Sequence, residues 1–306
     1  MIISVNGFSY HKPSETFEDC ADKIAFAINN GNAKFAISDG VTMSWYPEIW
    51  SQILVKQYVS TDGLNISDVA NNDILVQCQN KWLDEVNSCI GDAAKPWWIE
   101  NIENKESSAS ATFAGLTLFY ENNLLNYEAV SIGDTFLYIL SRDCALKFVF
   151  PENEVFNNTP NYLDSRGRHK GVPIKKSSVV EAGYYILMTD ALAEWFSLSP
   201  EKNLEKVLTW ETYDDFCKSI DLLRSNKEIK IDDTAIIVLN VSQSSTINNI
   251  TILEWSDGTE PINNIVLSTN SNEKKKAIRK RFNLSTVLKN GSKIKLNQKI
   301  KKRKQK

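Results

Sequence analysis

Four aspartates stand at the ends of apolar runs. Asp39 follows AKFAIS, Asp134 closes AVSIG, Asp190 follows YYILMT, and Asp232 with Asp233 opens TAIIVL. Glu18 and Asp19 precede a further run, KIAFAIN. Taken one at a time, each is an ordinary solvated turn residue that stops a strand. Brought together in a packed sheet they become something else. Carboxylates crowded into one small volume repel, and their pKa values climb unless divalent cations lie between them. With no His or Cys beside them, such oxygens suit hard ions, Mg²⁺ or Mn²⁺.

The elements that must carry these acids read as an α+β chain. IISVNGF is a strand, and KIAFAIN and NAKFAIS are two more, separated by Asn and Gly that tolerate the positive φ of a hairpin turn. YPEIWSQILVKQYV spaces Ile49 and Ile53, and Trp50 and Leu54, one helical turn apart. A second helix is expected to open at Ser67-Asp68, with the apolar stripe Leu75, Cys78, Trp82, Val86 and Cys89. Strands then return in SASATFAGLTLFY, in LLNYEAVSIGDTFLYILSRDCALKFVF after an Asn122-Asn123 turn, and in SSVVEAGYYILMTD. Residues 151–176 hold three prolines and form a long polar loop, the kind that borders binding sites. Ser199-Pro200 starts a helix with Pro in its first position. That helix or another runs through YDDFCKSIDLL, and TAIIVLNV closes the series. Consecutive strands on short turns favour antiparallel pairing over a doubly wound parallel sheet.

Composition divides the chain unevenly. Apolar residues make up 42% and charged residues 24% of 306, which describes a chain able to bury a core. No apolar run approaches the roughly 20 residues of a membrane span, and MIISVNGFSYHK lacks the basic flank and cleavage site of a signal peptide. Five cysteines without CxxC spacing fit a reducing, cytoplasmic setting better than a disulfide frame or a zinc site. The net charge of −3 conceals a division: residues 273–306 hold 15 of the 35 Lys and Arg and a single acid, Glu273. That segment carries +14, and residues 1–272 carry −17. Three regions are expected: a domain over 1–245, an appendage or linker over 246–272, and a flexible basic tail over 273–306. The tail suits an acidic partner surface or nucleic-acid backbones, although Phe282 is its one aromatic for base stacking.

The order of the acidic breaks resembles the metal-dependent protein phosphatases of the type 2C serine/threonine family. The likeness spans about residues 1–243 and rests on FEDC, FAISDG, SASATFAG, VSIGDTFLYIL, YILMTDALAEW and DDTAIIVL, in that order. SDGVTMSWYPEIW is most similar to bacterial members. The resemblance implies a four-layer α-β-β-α sandwich of two antiparallel sheets flanked by helix pairs, with two Mn²⁺ or Mg²⁺ ions at one end. It implies that Asp39 bridges both ions, that Glu18 and the Gly40 carbonyl complete one, and that Asp190 and Asp232 hold the other. Asp19 is implied just behind these ligands, and Asp134 with Glu194 at a third, weaker metal. The closing pair leaves the register between Asp232 and Asp233 open, with Asp232 favoured as the first of the two. The implied activity is hydrolysis of phosphoserine and phosphothreonine in proteins, by in-line attack of a hydroxide bridging the two ions. A cognate Ser/Thr kinase is the implied counterpart. No Cys begins a Cys-x5-Arg motif, so the thiol route to the same reaction is not offered.

Departures from the pattern bear on turnover. The family's phosphate-binding Arg falls at Ser14, leaving His11 and Lys12 as the nearby positive charge, with His11 also placed to donate a proton to the leaving group. The residue after Asp-Gly is Val41, and position 191 is Ala where the family has Gly. Arg166, Arg168, His169 and Lys170 form a basic group in the long loop that suits phosphate; a solvated loop reads equally well. Trp97-Trp98 read as packing residues. Two rival readings follow: a weakly active or inactive phosphatase-like regulator that binds a kinase or phosphoprotein, and a nucleic-acid-associated protein acting through the tail.

Overall fold

The runs expected to be strands alternate between two cores, which explains why several are apolar throughout. In a computed structural model, which describes residues 2–29, 32–60, 72–90, 107–152, 156, 160–242, 249–257 and 262–268, these residues form fourteen strands and five α-helices. These are β1 (Ile2–Tyr10), β2 (Lys23–Asn29), β3 (Asn32–Ser38), α1 (Pro47–Ser60), α2 (Asn72–Ile90), β4 (Ser110–Ala111), β5 (Phe113–Glu121), β6 (Leu124–Ile132) and β7 (Phe136–Ser141). They continue with β8 (Leu146–Phe150), β9 (Leu163–Asp164), β10 (Ile174–Val179), β11 (Gly183–Met188), α3 (Asp190–Ser197), α4 (Pro200–Val207), α5 (Tyr213–Ser225), β12 (Thr234–Ser242), β13 (Asn249–Ser256) and β14 (Ile262–Ser268).

A seven-stranded sheet runs β14-β13-β1-β12-β11-β7-β8, and a five-stranded sheet runs β10-β6-β5-β3-β2. Pairing is antiparallel throughout both sheets except between β1 and β13. Successive side chains on β12 point to opposite faces. Ala235, Ile237, Leu239 and Val241 enter the core between the sheets, while Ile236 and Val238 face the helices α3–α5. On the other side, α1 and α2 bury Trp50, Ile53, Leu54, Tyr58, Leu75 and Trp82 against the five-stranded sheet. Each such side chain contributes roughly 1.5–3 kcal/mol by leaving water. Helices, sheet, sheet and helices form the four layers.

Helix starts follow local chemistry. Pro200 occupies the first turn of α4, and Thr212 with Asp215 closes a capping box at α5. The Asn122-Asn123 turn takes positive φ, 51° and 60°. Ser67-Asp68, Trp97-Trp98 and residues 273–306 lie outside the described residues. Within the stretch expected as an appendage or linker, β13 pairs with β1 and β14 with β13, so Asn249–Ser256 and Ile262–Ser268 extend the larger sheet, with Ile250, Ile252 and Trp255 in the core between the sheets. Among the described residues no helix is long and apolar enough to cross a membrane, and all five cysteines are free thiols.

Candidate metal centre

Strand register brings the acidic breaks to one end of both sheets. In the seven-stranded sheet Tyr10 pairs with Thr234, and Met188 pairs with both Ile236 and Phe136. The end of β1, the start of β12, the end of β11 and the start of β7 therefore lie side by side. In the other sheet Lys23 pairs with Ser38, and Phe113 with Ile132. Asp39, Asp134, Asp190 and Asp232 hang from these rims.

The rims are tied by short bonds. The Thr112 N–H donates to the Asp39 carbonyl at 2.9 Å and the Val41 N–H to Ser110 O at 2.9 Å. Thr112 and Thr135 share a hydroxyl contact of 2.6 Å. Gly40 is forced by space: a Cβ there would lie 2.7 Å from Ser51 Oγ, 2.8 Å from Pro47 Cβ and 3.0 Å from Ala21 Cβ. Gly133 turns the chain into Asp134 with φ of 85°, and a Cβ would meet the Asn161 carbonyl at 2.3 Å.

The acids feel one another. The Asp39 carboxyl is pushed well up by burial first, then by the charges of Asp190, Asp134 and Asp232. Asp232 is raised by burial and by Asp190. A member not anticipated from sequence, Asp22, is 2% exposed and is pushed well up by burial, then by Asp39 and Asp233. Asp22 Oδ2 is buried with no hydrogen-bond partner.

The remaining expected acids differ in exposure and partners. Glu18 is exposed on the one-turn 3₁₀ helix Phe17–Asp19, and the Asp19 carboxylate accepts the Thr16 hydroxyl at 2.9 Å and the Thr16 N–H at 3.2 Å. Asp233 is buried and accepts the Lys12 N–H at 2.8 Å and the Ala21 N–H at 2.7 Å. Its carboxylate is spent on backbone, whereas Asp232 remains 39% exposed beside the other acids.

Two lysines face the acids. Lys12 Nζ lies 3.6 Å from Glu15, 3.9 Å from Asp232 and 4.0 Å from Asp233. Lys230 Nζ lies 2.6 Å from Asp190 Oδ2 and 3.4 Å from Glu194 Oε2. Burial works against the Lys230 charge, but the hydrogen bond and charge of Asp190 outweigh it and push the ammonium up to about 12. His11 Nδ1 is 2.9 Å from the Lys12 carbonyl. A carbonyl only accepts, so Nδ1 carries the hydrogen. Arg224, also unanticipated, is 7% exposed and donates to the His11 and Asp232 carbonyls at 3.1 and 2.6 Å. It clamps the two chain segments that flank the acids.

A cavity of about 310 Å³ is lined by Arg168, His169 and Lys170 with Asn161 and Tyr162. Arg168 is drawn to Asp164 at 3.7 Å, and the Arg166 guanidinium lies 5.3 Å over the Trp82 ring.

As the side chains stand, among the described residues no three His, Cys, Asp or Glu are drawn close enough to hold a metal ion. The donor chemistry nonetheless fits a divalent cation. The acids are hard oxygen donors, burial and neighbouring carboxylates push the carboxyls of Asp22, Asp39 and Asp232 up, and one buried oxygen of Asp22 lacks a partner.

No family model matches the sequence, and no curated protein does. Solved structures do. The photosystem II phosphatase PBCP superposes with a TM-score of 0.51 at 14% identity, over 78% of this chain and 99% of that one. The Mycobacterium tuberculosis serine/threonine phosphatase PstP/Ppp aligns at 0.48 and 15%, over 79% of this chain and 100% of that one. The catalytic domain of PstP in complex with two manganese ions aligns at 0.48 and 17%, over 79% and 99%. The fold is that of the type 2C serine/threonine phosphatases.

Proposed function

We propose that this chain is a metal-dependent hydrolase of phosphoserine and phosphothreonine in proteins. The observation that carries the reading is the group of mutually repelling aspartates, Asp22, Asp39, Asp134, Asp190 and Asp232, on one end of a type 2C phosphatase fold. Asp39, the Gly40 carbonyl, Asp190 and Asp232 are the residues to hold two Mn²⁺ or Mg²⁺ ions. Asp22, buried beside Asp39, joins Asp19 as an acid behind these ligands, Asp19 through the resemblance alone. Glu18 belongs to the set only through the resemblance, as do Asp134 and Glu194 at a third ion. Bound divalent ions supply charge neutralisation for a phosphoryl group and lower the pKa of water. Lys12 orients the phosphoryl oxygens from the rim, its own charge held in place by Asp232 and Asp233. Held by its Nδ1–H on the Lys12 carbonyl, the His11 ring, when doubly protonated, would give its Nε2 hydrogen to the leaving oxygen.

The test is hydrolysis of p-nitrophenyl phosphate and a phosphothreonine peptide across several divalent ions, comparing wild type with Asp39→Asn. Turnover in Mn²⁺ or Mg²⁺ that falls at least about a hundredfold in the variant is the expected result. Wild-type activity no higher than the variant's in every ion overturns it. That outcome favours the second reading, a phosphatase-like regulator that binds a kinase or phosphoprotein. Its specific support is that lysines engage Asp190 and Asp232.

A further inference from the structure

Lys230 lies on the short connector between α5 and β12, and the connector is built to aim it. Ile229, 7% exposed, anchors the loop in the core beneath α3–α5. The Asp232 N–H donates to the Lys230 carbonyl at 3.1 Å, a tight bend that brings the lysine and Asp232 to the same rim. On the facing element, Asp190 and Glu194 are one turn apart on α3. The ammonium spans them at 2.6 and 3.4 Å. An ammonium neutralises carboxylates and donates to them but accepts nothing, so it occupies the position of a cation without offering a water any coordination.

We propose that Lys230 is a tethered counter-ion that takes the outer cation position between Asp190 and Glu194, leaving Asp39, Asp232 and the second carboxylate oxygen of Asp190 to the divalent ions. The inference rests on reading the cluster as a divalent-metal centre. A divalent ion bound by Asp190 and Glu194 must displace a charge that is covalently attached and already hydrogen-bonded. The centre therefore takes one ion fewer than its acids could serve.

The experiment is a Mn²⁺ titration of the full-length chain, with bound ions counted by calorimetry and free Mn²⁺ followed by electron paramagnetic resonance. Wild type, Lys230→Gln, Lys230→Arg and the double variant Lys230→Gln/Glu194→Gln are compared, each checked for an unchanged far-ultraviolet spectrum. Lys230→Gln is expected to bind one more Mn²⁺ per chain, or to hold its weakest ion about tenfold tighter or more. Lys230→Arg keeps the charge and is expected to match wild type, and the double variant loses the gain with the lost ligand. Unchanged number and affinity in Lys230→Gln, with wild type binding normally, overturns the counter-ion role alone. No Mn²⁺ binding in wild type or any variant overturns the metal-centre reading with it.

Discussion

Asp22 sits inside the protein with one oxygen unpartnered and three other acids, Asp39, Asp233 and Asp232, pressing on it. Its folded pKa is raised, so the native state keeps a proton that the unfolded chain releases from about pH 4 upward. The native state then binds more protons than the unfolded one, and this residue's contribution to stability falls as pH rises through that window. In chelator, Asp22→Asn is expected to melt above wild type at pH 7.5, with the difference closing as pH falls toward about 4. Saturating Mn²⁺ is expected to reverse the order, because a cation held by Asp39 favours the ionised carboxylate of Asp22 beside it, a charge the variant cannot supply. Thermal or urea midpoints on both proteins, with and without Mn²⁺, decide this; a wild type more stable than the variant in chelator at neutral pH contradicts it.

The elements make narrower demands. A methyl at position 40 meets Ser51, Pro47 and Ala21 at 3.0 Å or less, all in well-packed surroundings, so Gly40→Ala is expected to cost about 1–3 kcal/mol. By contrast, Thr212→Ala removes the cap of α5 on the far side from the cluster's aspartates and is expected to cost about 1 kcal/mol while leaving metal binding intact. Urea denaturation measures both. Element types were largely open to reading because the apolar runs are long and their punctuation is Asn, Gly and Pro. The four aspartates were readable for the same reason, since each interrupts such a run. Asp22 carried a comparable signal, an acid directly before KIAFAIN, but the neighbouring Glu18-Asp19 pair drew the assignment. Arg224 and Lys230 could not be found this way: a helical arginine and a loop lysine look solvated until the fold shows which carbonyls and carboxylates they meet. The strands β13 and β14 were missed because parallel pairing of β13 with β1 joins segments more than 240 residues apart, and no local pattern announces it.

At the scale of the molecule, charge is unevenly placed along the chain. Removing residues 273–306 takes the net charge from −3 to −17. Full-length protein is expected to be retained on heparin and released by salt, and the truncated form to pass through unretained. Hydrolysis of a small phosphoester is expected to be the same in both. Retention of the truncated form assigns the anion-binding surface to residues 1–272 instead. Asp233 adds a constraint of another kind. Its single carboxylate joins the backbone of Lys12 to that of Ala21, and β1 lies between β12 and β13 in the sheet. The first strand made therefore waits for nearly the last ones before it has its sheet neighbours. During synthesis, Asp22 emerges early, but the backbone beside it gains its Asp233 partner only after residue 233 has left the ribosome, so the proposed centre is assembled only when its domain is almost complete.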